Sequence, residues 1–182
     1  MNFYLISNSY KSFYLFRKDI ILKLSKKYNI ILIANSDSYS DYFEKKNRIT
    51  CIKLNNVFNN KSIFKNIIFS VRLIYLFSLK KPYIVQTYTI HPNILCIPIA
   101  KLFFAKTSAM ITGMGATSIT KNFIVKNMIN FFYRLSFSFC DHLFFVNSDN
   151  EKFFKLKLGL KKKSTKIFGA GVSKKKLILK QN

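Results

Sequence analysis

The chain has 182 residues, 49% of them hydrophobic, which is enough for one well-buried core and too few for two ordinary domains. Its formal net charge is +24, from 31 Lys and Arg against 7 Asp and Glu, and points to an anionic partner: nucleic acid, a phosphorylated ligand or an acidic bilayer face. Lys, Asn, Ile, Phe and Tyr are abundant while Trp is absent, a composition that AT-rich codons impose, so the sign of the charge counts for more than its size.

Short apolar runs alternate with longer amphipathic ones, the pattern of an α/β domain with a Rossmann-like parallel sheet flanked by helices. In chain order the spacing predicts a strand over Phe3–Ile6, a helix over Phe13–Lys27, a strand over Ile30–Ala34 and a helix over Asp41–Lys46. A strand over Thr50–Leu54, a helix over Lys61–Leu79, a strand over Ile84–Thr87 and a helix over Asn93–Phe104 follow. The last elements are a strand over Ala109–Ile111, a helix over Asn122–Cys140, a strand over Leu143–Val146, a helix over Asp149–Leu156 and a strand over Lys166–Phe168. Residues 1–173 are read as one domain and the Lys-rich 174–182 as a frayed tail.

Periodicity assigns each long helix a buried stripe. The first helix is given Phe13, Phe16, Ile20 and Leu24, with Ser12 as N-cap; the third is given Ile63, Ile67, Val71 and Ile74. The fifth is given Met128, Phe132, Leu135 and Phe139. Lys61, Lys65 and Arg72 on the third helix, and Lys126 and Arg134 on the fifth, form basic faces that are either solvated or seated on anionic lipid, the latter favoured by Phe131, Tyr133 and Phe137.

Cys51, Cys96 and Cys140 stand singly, without Cys-x-x-Cys spacing or a His cluster, and read as reduced, buried thiols of a cytosolic protein. The stretch Met1–Ile6 lacks a basic flank and turns polar at Ser7, as a strand does and a signal peptide does not. No segment reads as a membrane span, since charged or polar residues interrupt every long apolar stretch.

In an open parallel sheet, ligands bind at the carboxyl ends of the strands, so the loops after the first, fourth and fifth strands converge on one crevice. Those loops are polar: Ser7-Asn8-Ser9-Tyr10-Lys11-Ser12, Tyr88-Thr89-Ile90-His91-Pro92-Asn93 and Thr112-Gly113-Met114-Gly115-Ala116-Thr117. Their hydroxyls and amides suit sugar hydroxyls, and the first and third lead into helix N-termini that favour phosphate oxygens. His91 is placed either on the acceptor or as a helix cap, Arg17 either on a phosphate or in solvent, and His142 beside Asp141 as a structural pair.

These residues resemble bacterial glycosyltransferases of family 4. Ser7, Ser9, Ser12, Phe16 and Arg17 match the family's serine-rich first loop, and Pro82, Ile84, Val85, Thr87, Pro92 and Asn93 match its Pro-Asp-Ile-Val motif, with Tyr83 in place of the Asp. Thr112-Gly113-Met114-Gly115, Phe145-Val146-Asn147, Leu158-Gly159-Leu160 and Gly169-Ala170-Gly171-Val172 follow in the family's order. The resemblance implies a GT-B enzyme of which this is the acceptor-binding half, acting with retention and without metal, and without a cofactor beyond the nucleotide-sugar donor. The acceptor would be a lipid-linked glycan of polysaccharide or lipopolysaccharide synthesis, such as O-antigen. The expected acceptor-binding residues are Ser9, Tyr10, Ser12, Arg17, Thr89, His91, Asn93, Thr112, Gly113, Met114 and Gly115; no catalytic residue is assigned.

Only ten residues follow Val172, so the donor-binding half is expected to be missing or to be a separate partner. The expected location is cytoplasmic, peripheral on the anionic inner face of the cell membrane. The alternatives are a basic nucleic-acid-binding protein, which rests on charge alone since no helix-turn-helix, zinc-finger or RNP motif is visible, and a non-catalytic remnant or interaction domain. Nucleic acid is not the expected partner.

Overall fold

The computed structural model describes residues 1–58, 63–113 and 122–167. Strands run over Asn2–Ser9 (β1), Asn29–Asn35 (β2), Ile49–Leu54 (β3), Ile84–Tyr88 (β4), Lys106–Ile111 (β5), His142–Phe145 (β6) and Ser164–Lys166 (β7). Helices run over Tyr10–Leu24 (α1), Ser40–Glu44 (α2), Ile63–Leu79 (α3), Ile90–Leu102 (α4), Phe123–Ser138 (α5) and Ser148–Lys152 (α6), the last continuing into a π-helical turn, Phe153–Lys157.

All seven strands pair in parallel, in the order β3-β2-β1-β4-β5-β6-β7. β1 is an interior strand, and its Tyr4, Leu5 and Ile6 are fully buried because helices cover both faces, which explains its unbroken apolar run. The chain first winds outward through β2 and β3, then returns past β1 to β4 and winds the other way. Right-handed crossovers therefore put α1 and α2 on one face of the sheet and α3, α4, α5 and α6 on the other. The cores agree: Tyr10, Phe13, Ile21 and Phe43 pack on Leu5 and Leu32, whereas Phe69, Leu73 and Phe77 pack on Tyr4 and Val85. Tyr133, Phe137 and Phe154 fill a third cluster over Ala109, Leu143 and Phe145. The order reverses between β1 and β4, and the loops leaving those two strands part to opposite faces.

Each predicted element is present, but three helical stripes are rotated from expectation. α1 begins one turn early, at a Ser9 N-cap whose Oγ accepts from the Ser12 N–H (3.2 Å), not at Ser12. Its buried line is Tyr10, Phe13, Arg17 and Ile21, and Phe16 and Ile20 are exposed. On α3 the sheet receives Phe69, Leu73 and Phe77 while Ile67, Val71 and Ile74 face outward. On α5 it receives Tyr133, Ser136 and Phe137, so Met128, Phe132, Leu135 and Phe139 are exposed. Both helices are apolar on more than one side, and a periodic pattern alone does not say which side meets the sheet.

Strand β7 ends at Lys166, earlier than expected, and Phe168 lies outside the described residues, as do Lys61, the Gly169–Val172 turn and 174–182. Cys96 and Cys140 are buried and Cys51 is half-buried, all three as free thiols. Burial pushes the Cys51 and Cys140 thiols up to about 11, well away from reactive thiolates. No helix among the described residues is long and apolar enough to cross a membrane.

Candidate functional site: a crevice at the carboxyl ends of β1, β4 and β5

A crevice of about 410 Å3 lies at the carboxyl ends of β1, β4 and β5. Ser9, Ser12 and Arg17 line it from the β1–α1 side, and Thr89 and Thr112 line it from the ends of β4 and β5. Asn8, Lys11, Leu15 and Phe16 complete the wall. Five of the residues expected from sequence thus meet in one place.

Arg17 is the unusual member. It lies on the inward line of α1, 5% exposed, with its guanidinium 4.2 Å from the centroid of the Tyr88 ring. One terminal nitrogen, Nη2, donates to the Met110 sulfur (3.2 Å), a weak acceptor, and the buried Nε has no hydrogen-bond partner among the described residues. Burial lowers its proton affinity, and Tyr88 opposes that shift.

The chain's seven side-chain carboxylates are all among the described residues and none reaches Arg17. Asp37 accepts from the Lys11 and Tyr39 N–H groups, Asp41 and Glu44 pair with Lys53, Asp141 with Lys101, and Glu151 with Lys155. Asp19 and Asp149 are exposed on their helices. A buried cation without a counter-charge is costly, and an anion entering the crevice would offset that cost.

Thr89 is strained as well as unpartnered. Its φ of 67° and ψ of 165° fall in a region that residues with a Cβ rarely occupy, and its buried hydroxyl has no partner. It is the N-cap residue of α4, yet its side chain makes no bond to the first turn. The other two helix starts differ. Ser9 occupies the Ser12 N–H and Asp37 the Lys11 N–H on α1, while Asn122 accepts from the Ile124 and Val125 N–H groups on α5. On the helices after the first and third loops the Lys11, Ser12, Ile124 and Val125 N–H groups are thus already taken, whereas α4 starts without a side-chain cap.

The remaining expected residues have other surroundings. Tyr10 is fully buried and donates from its hydroxyl to the Leu32 carbonyl (3.2 Å), which makes it a core residue beneath the crevice. His91 Nδ1 donates to the Phe58 carbonyl (2.6 Å), tying the start of α4 to the loop after β3. Asn93 is buried under the site: its Nδ2 donates to the Met110 carbonyl (3.4 Å), its own carbonyl accepts from Ser136 (2.6 Å), and its Oδ1 is unpartnered. Gly113 does not have a positive φ, and a Cβ built there would meet nothing within 4 Å. Met114 and Gly115 lie outside the described residues. His142 and Asp141 do not pair: His142 bonds Thr165 (2.9 Å), and Asp141 bonds Lys101 and the Thr107 N–H.

The sequence placed Asn8 and Lys11 in the first polar loop without giving them a role; it did not mark Leu15, and it gave Phe16 to the core. An N-cap at Ser9 brings Tyr10 into α1 and makes the line Tyr10, Phe13, Arg17 and Ile21 available beside Phe13, Phe16, Ile20 and Leu24. Nothing in the sequence signals that Tyr88 supplies the ring beneath Arg17.

A comparison by sequence with protein families and with curated proteins finds no match. By structure, the chain is similar to a sucrose-phosphate synthase from Thermosynechococcus elongatus, with a TM-score of 0.72 and 8% identity over 100% of this chain and 95% of that one. It is also similar to UDP-N-acetylglucosamine 2-epimerase from Rickettsia bellii (TM-score 0.67, 12% identity, 100% of this chain and 47% of that). A glycosyltransferase from Rickettsia africae ESF-5 gives a TM-score of 0.59 at 12% identity, over 98% of this chain and 48% of that. The chain spans about half the length of the epimerase and of the Rickettsia glycosyltransferase, and it has the Rossmann-like α/β fold of one half of a GT-B enzyme.

Proposed function

We propose that this chain is the acceptor-binding half of a retaining, metal-independent glycosyltransferase of the family 4 type, which receives a polyprenyl-diphosphate-linked glycan of polysaccharide or lipopolysaccharide synthesis. The observation that carries the reading is the buried guanidinium of Arg17, which opens on the crevice without a carboxylate partner among the described residues. A diphosphate supplies the missing negative charge, and charge-assisted bonds to a guanidinium are strong where water is excluded. The uncapped start of α4 adds the positive end of a helix dipole. Hydroxyls of Ser9, Ser12, Thr89 and Thr112 surround the same space and suit the hydroxyls of the first sugars.

In this reading the nucleotide sugar is held mainly by a second half, which comes from outside these 182 residues as further chain or as a separate polypeptide. Stabilising the departing nucleotide falls to that half, so the chain alone binds acceptor and transfers nothing. The similarity in fold to glycosyltransferases and to an epimerase acting on a UDP-sugar supports a role in sugar-nucleotide chemistry.

The test is calorimetric titration of the chain with a polyprenyl-diphosphate sugar and with the same sugar on an uncharged polyprenyl chain. The diphosphate compound should bind and the uncharged one should bind at least about tenfold more weakly. Equal binding of the two would overturn the assignment.

A further inference from the structure

Helices α3 and α5 each carry a second apolar stripe that nothing among the described residues covers. On α3 it is Phe64, Ile67, Val71 and Tyr75, at spacings of three and four, with Phe64 71% exposed. On α5 it is Ile124, Met128, Phe131 and Leu135, with Ile124 76% and Phe131 61% exposed. α4 lies on the same face of the sheet and packs against both helices, so the two stripes flank it on one side of the molecule. A helix that is apolar all round is normally covered all round, and the sheet covers one side here.

The charges on these helices decide what the cover is. Lys65 and Arg72 on α3 and Lys126 and Arg134 on α5 are exposed, and neither helix contains an Asp or Glu. A second copy seated on this face would set four cations against four, on a chain whose net charge is already +24. An anionic lipid surface offers the opposite: acyl chains for the stripes and phosphates for the rim. Phe and Tyr side chains suit the headgroup boundary, and no described helix is long and apolar enough to cross a bilayer.

We propose that α3 and α5 together form the seat by which this protein lies on an anionic bilayer, their outward stripes entering the headgroup boundary and Lys65, Arg72, Lys126 and Arg134 engaging lipid phosphates. This differs from a seat built around Tyr133 and Phe137, which are buried in the core. It stands on exposure and charge and holds whatever ligand the crevice takes, although a lipid-linked acceptor would be met at the same surface.

The chain contains no Trp, so Phe131→Trp installs a single reporter, and Asp19→Trp on α1, across the sheet, provides the control. The full chain is mixed with phosphatidylcholine vesicles containing or lacking phosphatidylglycerol. The expected result is a blue shift at position 131, quenched by brominated acyl chains, with anionic vesicles only and without response at position 19. The double variant Phe64→Ser/Ile124→Ser, shown to be folded by thermal unfolding, should bind anionic vesicles about tenfold more weakly or worse. Arg72→Gln/Arg134→Gln should weaken binding and flatten its dependence on salt. The proposal is overturned by an unchanged spectrum at saturating anionic lipid, by equal response of both reporters, or by a blue shift that grows with protein concentration in the absence of vesicles. The last would assign the face to self-association. Loss of diphosphate binding in the crevice with vesicle binding intact would remove the functional reading and leave the seat in place.

Discussion

The guanidinium of Arg17 lies over the ring of Tyr88, 4.2 Å from its centroid, and joins the inward line of α1 to the last residue of β4. Burial raises the Tyr88 phenol to about 12, with the neighbouring cation pulling it back, so the ring stays neutral and acts as a face for the charge rather than as a counter-ion. An aromatic face offsets only part of the cost of burying a cation.

Arg17→Met keeps the unbranched apolar stem of the side chain and removes the charged head. We expect it to be neutral or stabilising by about 1 kcal/mol in denaturant unfolding, because no ion pair is lost, while binding of a diphosphate-bearing lipid disappears. A loss of several kcal/mol would show that the charge is satisfied within the chain.

Thr89 combines a strained backbone with an idle hydroxyl at the crevice. Conformations of this kind cost on the order of 1–3 kcal/mol in residues with a Cβ, so Thr89→Gly should raise stability by about 1 kcal/mol after the entropy of the added glycine. Acceptor affinity should fall at the same time, as the hydroxyl is gone. A variant that is less stable than the parent would contradict the strain, and unchanged affinity would remove Thr89 from the site.

The rotated stripe of α3 can be tested by a pair of substitutions. Phe77 is fully buried and Ile74 faces outward, so Phe77→Ala should cost about 3–5 kcal/mol. Ile74→Ala should cost about 0.5 kcal/mol or less in the same urea titration. Similar losses at both positions would restore the stripe that periodicity alone suggests.

The fold was legible because parallel strands buried on both faces, such as Tyr4-Leu5-Ile6 and Ile30–Ala34, stand out as apolar runs between longer amphipathic segments. The place of the crevice was legible for a related reason, since polar loops at strand ends are conspicuous beside such runs. The orientation of the helices was not. Phe64, Ile67 and Val71 are as apolar as Phe69, Leu73 and Phe77, and tertiary packing chooses between them. The roles of His91 and Asn93 were hidden because their partners, Phe58 and Met110, are backbone carbonyls that any residue could supply.

Asp141 offers a pH-dependent test of the β5–β6 edge. Partial burial raises its proton affinity, but hydrogen bonds from Lys101 (2.6 Å) and from the Thr107 N–H (2.8 Å) outweigh that and hold the carboxyl below its ordinary value. A carboxyl with a lowered folded-state value contributes stability above its unfolded value, and that contribution is lost as pH falls through the folded one. Asp141→Asn should therefore cost about 1 kcal/mol at neutral pH, solvent screening of the half-exposed pair included. The difference from the parent should shrink below the ordinary carboxylate range. A difference that persists unchanged at the lowest pH where both remain folded would rule out this origin.

In the proposed reading an anion enters the crevice and takes the Nε–H of Arg17, which has no partner among the described residues. Nitrogen-15 spectra of arginine side chains read this atom directly, and the signal is assigned by its loss in Arg17→Lys, leaving those of Arg48, Arg72 and Arg134. On titration with a polyprenyl-diphosphate sugar, the Arg17 Nε–H resonance should move downfield in proton and exchange more slowly with water, while the other three stay in place. An Arg17 signal that is unmoved when the acceptor is fully bound would contradict that reading.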